Sequence, residues 1–111
     1  MPERNAERTN RVAELIREFA AKFLARVDNH TSLITVTSAS ASPDLKRATI
    51  FITVMPEEKE EAVLKFVRRQ RSELRGVLKK SMGIKTTPFV DFAIDKGEKN
   101  RQKIDELLRN G

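Results

Sequence analysis

The stretch between Pro56 and Gly83 sets the strongest limit on what this chain can fold into. Val63, Phe66, Val67, Leu74, Val77, Leu78 and Met82 recur at helical spacing, but Gln70 stands where the apolar stripe is due to continue. One straight helix from Glu57 to Met82 would run about 39 Å at 1.5 Å per residue. A strand of six or seven residues is only about 20 Å long, so half of such a helix would hang in solvent. Both halves of the stripe need cover. Burying each side chain is worth roughly 1.5–3 kcal/mol, against about 1 kcal/mol net for each helical hydrogen bond lost at a break. This comparison predicts a break within residues 70–73 and two helices folded over one sheet. Ser72, followed by Glu73-Leu74-Arg75, is the expected N-cap of the second helix. Pro56 and the acidic run Glu57-Glu58-Lys59-Glu60-Glu61 open the first, and Gly83 stops the second.

The flanking segments supply the sheet and its remaining cover. Val12, Leu15, Ile16, Phe19, Phe23, Leu24 and Val27 form an amphipathic helical stripe that ends near the turn cluster Asp28-Asn29-His30-Thr31. Ser32 to Ser40 is rich in β-branched residues. In Ala48 to Met55, Ala48, Ile50, Ile52 and Val54 alternate with Thr49, Phe51, Thr53 and Met55. The turn-forming Ala41-Ser42-Pro43-Asp44 between them predicts an antiparallel hairpin. A last strand is expected from Phe89 to Asp95, entered through Pro88, with Val90, Phe92 and Ile94 on one face. Lys96-Gly97 turns the chain into a short helix, about 98–109, whose apolar anchors are Ile104, Leu107 and Leu108. Three such residues hold little, so loose packing is expected there. The order is α-β-β-α-α-β plus a terminal helix, an α+β arrangement.

At 111 residues the chain suits one domain, 1–111, with a single core. Without cysteine it has no disulfide framework, thiolate metal site or cysteine nucleophile, and a lone histidine makes no multi-histidine metal site. His30 lies in a polar turn and reads as structural or solvated. Asp91 and Asp95 read as strand-ending residues and not as an acid/base pair. Gly76, Gly83, Gly97 and Gly111 form neither G-x-G-x-x-G nor a phosphate loop. No apolar run is long enough to span a bilayer, and the polar start, Met1 to Asn10, is unlike a signal peptide. The expectation is a soluble cytoplasmic protein that is not an enzyme and takes no cofactor, metal, membrane or small-molecule substrate.

Charge is what remains to explain. Residues 65–85 contain Lys65, Arg68, Arg69, Arg71, Arg75, Lys79, Lys80 and Lys85 against the single acid Glu73, a net +7. The other 14 basic and 15 acidic residues leave −1, so the overall +6 belongs to one helical region. Arg68, Arg71 and Arg75 are three and four residues apart and share a polar face that Lys79 continues. A solvated outer face is the plain alternative, but solubilising faces usually mix signs. A one-signed face suits phosphates, whose neutralisation releases condensed counterions. No aromatic residue lies between Arg68 and Lys85, and Phe51 and Phe89 are assigned to the core. Contact with phosphate and RNA shape is therefore expected in preference to base stacking. Arg71 and Arg75, on the polar face, are expected to be replaceable without unfolding.

Several pieces, in order and spacing, resemble the ribosome-binding factor A family from about Arg8 to Leu108. They are Arg11-Val12, Ile34-Thr35-Val36-Thr37, Ser42-Pro43-Asp44-Leu45 with Ala48, Leu74-Arg75 with Leu78, Pro88 to Asp95, and Ile104 with Leu107-Leu108. The resemblance implies a type II KH-like domain, α-β-β-α-kink-α-β, with a three-stranded sheet. It also implies a bacterial, non-catalytic assembly factor that binds the immature small (30S) ribosomal subunit and its 16S rRNA and assists rRNA processing and late maturation. The family carries Ala-x-Gly at the kink. Here Gln70-Arg71-Ser72 stands in its place, and serine kinks less readily than glycine. The RNA-contacting set expected is Lys65, Arg68, Arg69, Arg71, Ser72, Arg75, Lys79, Lys80 and Lys85. A generic KH-like module for single-stranded RNA is the alternative. A dimer through the Phe19/Phe23 face is a third reading, set against a monomer with that face in the core.

Overall fold

The computed structural model describes residues 2–27, 32–83 and 86–110. The turn cluster at 28–31, His30 included, and Lys85 lie outside the described residues. Helix α1 spans Pro2–Val27, strand β1 Leu33–Ala41 and strand β2 Arg47–Met55. A 3-10 turn, Glu57–Lys59, then leads into α2 (Glu60–Arg69), α3 (Arg71–Met82), β3 (Phe89–Ile94) and α4 (Lys96–Asn110). The sheet order is β1-β2-β3, with β1 antiparallel and β3 parallel to β2. This is the expected α+β, KH-like architecture.

The apolar alternation fixes which face of the sheet is covered. Ala48, Ile50, Ile52 and Val54 of β2, with Val90 and Phe92 of β3, join one core with Ile16, Phe23 and Leu24 of α1, Val63 and Val67 of α2, and Leu74 and Leu78 of α3. All three helices thus lie on the same face. Phe23 is only 3% exposed, so the Phe19/Phe23 stripe is core and not a free dimer face. The polar residues before Val12 continue α1, because good helix formers such as Ala6, Glu7 and Arg8 need no buried face to extend a helix already anchored.

The hairpin turn falls slightly later than its sequence signal, at residues 42–46. The Ser42 hydroxyl donates to Asp44, and the amides of Lys46 and Arg47 donate to Asp44 Oδ1 and Ser42 Oγ. Leu45 takes φ 58° there, a left-handed conformation costly for leucine, and its side chain packs against the core.

The helix breaks at Gln70, inside the predicted window, and the missing glycine is no obstacle. Gln70 adopts φ −92°, ψ 0°, a region open to residues with a side chain. Its amide donates to Val67 O, and α3 restarts with the Leu74 amide donating to Gln70 O. Arg71 Nε donates to Arg68 O at 3.0 Å, so an arginine side chain satisfies a carbonyl at the end of α2. Ser72 is not the N-cap. It is the second residue of α3, exposed, and the cap position is Gln70 with no side-chain cap bond. The other end also differs: Pro56 precedes a 3-10 turn that Glu57 opens, and the α-helix itself begins only at Glu60.

Asp95 ends β3 by capping α4. Its Oδ1 accepts from the Glu98 amide and its Oδ2 from the Thr37 hydroxyl, and these bonds hold its carboxyl below the ordinary aspartate range. Lys99 Nζ then sits 2.7 Å from Glu57 and 3.1 Å from Glu60, which depresses Glu57 and raises Lys99. Beyond that first turn, Ile104, Leu107 and Leu108 are exposed.

Burial decides what substitutions cost here. Leu74→Ala should lose about 2–5 kcal/mol in urea unfolding, because Leu74 is fully buried between α3 and the sheet. Leu107→Ala and Ser72→Leu, both at exposed positions, should stay within about 0.5 kcal/mol of the parent chain. The α4 junction should be acid-sensitive. A carboxyl with a depressed folded pKa stabilises fully above its unfolded value, near pH 4, and loses that contribution as pH falls through the folded value. Amide protection in the first turn of α4, measured relative to the intrinsic exchange rate at each pH, should therefore fall below about pH 4. Asp95→Ala should lose about 1 kcal/mol at neutral pH, as a lost N-cap does, and flatten this acid response.

Candidate nucleic-acid interface

Strand β3 is an edge strand, and its edge carries the site. The Phe89 and Asp95 amides donate to Lys46 O and Ile52 O, so the odd-numbered residues of β3 bond to β2 and the even-numbered ones face outward. Outward backbone groups on an edge need partners. At Phe92 both are supplied by side chains. Arg68 Nη2 donates to the Phe92 carbonyl at 3.1 Å, and the Phe92 amide donates to Asp91 Oδ1 at 2.8 Å.

Three arginines from the two sides of the helix break converge here. Arg68 Nε donates to Asp91 Oδ1 at 3.2 Å, and Arg71 Nη1 to the same oxygen at 3.3 Å. Arg75 Nη2 donates to Thr87 O at 2.9 Å, and its guanidinium lies 4.0 Å from the centroid of the Phe89 ring. Together Arg68, Arg69, Arg71, Ser72, Arg75, Phe89 and Val90 line an open groove of about 410 Å³. The side chains of Arg68 and Arg71 remain about half exposed, so guanidinium N–H groups not spent on β3 are open to a phosphate.

Of the nine residues expected to contact RNA, five line the groove. Lys65 stands outside it, exposed, 3.8 Å from Glu61. Lys79 and Lys80 are exposed in the last turn of α3, with no ion pair among the described residues. Lys85 lies outside the described residues. Sequence reasoning missed Phe89 and Asp91. Phe89 is not core: it is 65% exposed, because the helices cover one sheet face and the parity of Phe89 puts it on the other. Asp91 does not end the strand but sits within it, beside Thr49 of β2, holding two arginines. The alternation of Val90 and Phe92 against Phe89 and Asp91 carried this signal. Arg75 is also more than a solvent-facing charge, since it is half-buried and bound to Thr87.

A family profile described as ribosome-binding factor A matches residues 8–108. The chain belongs to that family. It is 33% identical to ribosome-binding factor A of Rhodopseudomonas palustris (strain TIE-1) over 98% of this chain and 83% of the relative. The crystal structure of ribosome-binding factor A from Thermus thermophilus superposes with a TM-score of 0.69 at 17% identity, covering 78% of this chain and 94% of that one. A second Thermus thermophilus structure of the factor, a homology model fitted into a cryo-EM map of a 30S complex, gives 0.64 at 18% identity, covering 73% and 88%.

Arg75→Ala should cost about 1–2 kcal/mol in urea unfolding, from one hydrogen bond to a part-buried carbonyl and one cation–π contact. Arg75→Lys should recover little of this, because an ammonium has neither the planar fork nor the stacking face. Arg69→Gln, which removes no hydrogen bond among the described residues, should leave the unfolding curve unchanged.

Proposed function

We propose that this chain is a non-catalytic assembly factor that binds the immature small ribosomal subunit in the cytoplasm and holds a segment of its 16S rRNA while processing and late maturation proceed. The observation that carries the reading is the convergence of Arg68, Arg71 and Arg75 on the β3 edge, with Arg69 beside them, in the one region that holds the chain's basic surplus. Membership of the family supports it, as does the Thermus thermophilus relative fitted into a 30S complex. Guanidinium groups held by a strand edge are pre-ordered, so less side-chain entropy is lost when they meet phosphates.

Catalysis has no part in this reading. Among the described residues there is no group of three or more histidine, cysteine, aspartate or glutamate side chains placed to hold a metal ion. Nor is any helix among them long and apolar enough to cross a membrane. The factor acts as a monomer, with the α1 stripe spent on its own core.

Sedimentation with purified ribosomal fractions tests the proposal. The chain should travel with free small subunits and not with complete ribosomes. Equal association with both, or with neither, would overturn it. Arg69→Gln should weaken binding and lower the log–log salt slope by about 0.7–0.9 if it meets one phosphate. Weaker binding with an unchanged slope would mean that Arg69 contacts no phosphate.

A further inference from the structure

An exposed phenylalanine in a groove of arginines needs a reason. The ring of Phe89 is anchored at the first position of β3 by its backbone bond to Lys46, and one of its faces carries the Arg75 guanidinium at 4.0 Å. Phe89 is nonetheless 65% exposed, so much of the ring surface away from Arg75 is open. The ring is therefore held in orientation, flat against a cation on one side and open on the other. Arg75 cannot easily swing away, because it also donates to Thr87 O. Around the ring stand Arg68, Arg69 and Arg71, the groups suited to a backbone that passes through the groove.

We propose that Phe89 is a stacking platform for one unpaired nucleobase, with the neighbouring arginines holding the phosphates on either side of it. The inference rests on the RNA-binding reading above and deepens it, naming the ligand as a segment with at least one base out of its helix. A fully paired duplex keeps its bases stacked on one another and offers the ring nothing. A bulge, a loop or a single strand offers a free π-face, and stacking on an aromatic ring is favourable for any of the four bases. Arg75 fixes the ring before the base arrives, so the ordering is not left to the binding step.

The plain alternative is that Phe89 serves only as an apolar seat for Arg75. The two are separated with a pair of RNA hairpins, each closed by the same non-nucleotide linker in place of a loop, that differ by one bulged 2-aminopurine. The wild-type chain should bind the bulged hairpin about ten-fold more tightly than the paired one, within the range that one base–aromatic stack supports, and should quench the 2-aminopurine fluorescence. Phe89→Leu keeps an apolar seat but offers no ring. It should reduce the preference to less than about two-fold and abolish the quenching, while affinity for the paired hairpin and its salt slope stay unchanged. Phe89→Trp should keep both signals. The proposal is overturned if Phe89→Leu retains the preference, or if it weakens both hairpins equally, which is the mark of a seat for Arg75. It is also overturned if the wild-type chain binds both hairpins alike. Failure of the wild-type chain to bind either hairpin would remove the RNA reading itself, and the platform with it.

Discussion

The molecule is organised by a mismatch of lengths. The chain between β2 and β3 carries a helical stripe too long for the six-residue strand it must cover, so it folds in two at Gln70. That break lets Val63 and Val67 on one side and Leu74 and Leu78 on the other reach the same core. It also frees carbonyls at the end of α2, and Arg71, the first residue of α3, donates to one of them, Arg68 O. The same bend brings Arg68 to the Phe92 carbonyl of β3 and Arg75 to the Thr87 carbonyl just before it. The basic groove is thus a product of the same bend that completes the core.

Asp91 holds the arrangement together from the other side. One carboxylate oxygen receives Arg68, Arg71 and the Phe92 amide. Exposed ion pairs contribute little singly, but this one fixes two guanidinium groups relative to a strand whose position is set by the core. The opposite end of β3 repeats the device with Asp95, which joins the strand to α4 through the Glu98 amide and the Thr37 hydroxyl.

Much of this was legible in the sequence, and for physical reasons. The apolar periods gave the elements and their order, because burying a stripe leaves few choices. The gap at Gln70 gave the break. The charge count localised the basic region. What the sequence could not show was how side chains compensate across elements. Ser72 looked like a cap because serine is a good one, yet the Arg71 side chain satisfied the open carbonyl and left Ser72 as an ordinary helical residue. Phe89 looked like core because most phenylalanines are. Its exposure follows from strand parity and one-sided cover, which become certain only when the parallel register of β2 and β3 is known. Arg75 looked interchangeable with its neighbours until Thr87 and Phe89 were placed beside it.

The dressing of the β3 edge has a consequence for how genetic variants of this chain would behave. An unpaired strand edge is a template on which another copy can add a strand. Arg68 and Asp91 occupy the Phe92 groups that such an addition would need. The side chains that give the edge its charge are therefore also its guard against self-association. A variant that lost them would leave the edge open to a second copy and shrink the soluble pool, and on the RNA-binding role proposed above it would also dock more weakly. A growth defect in cells would then not distinguish the two causes, and selection on either property would preserve the same arginine.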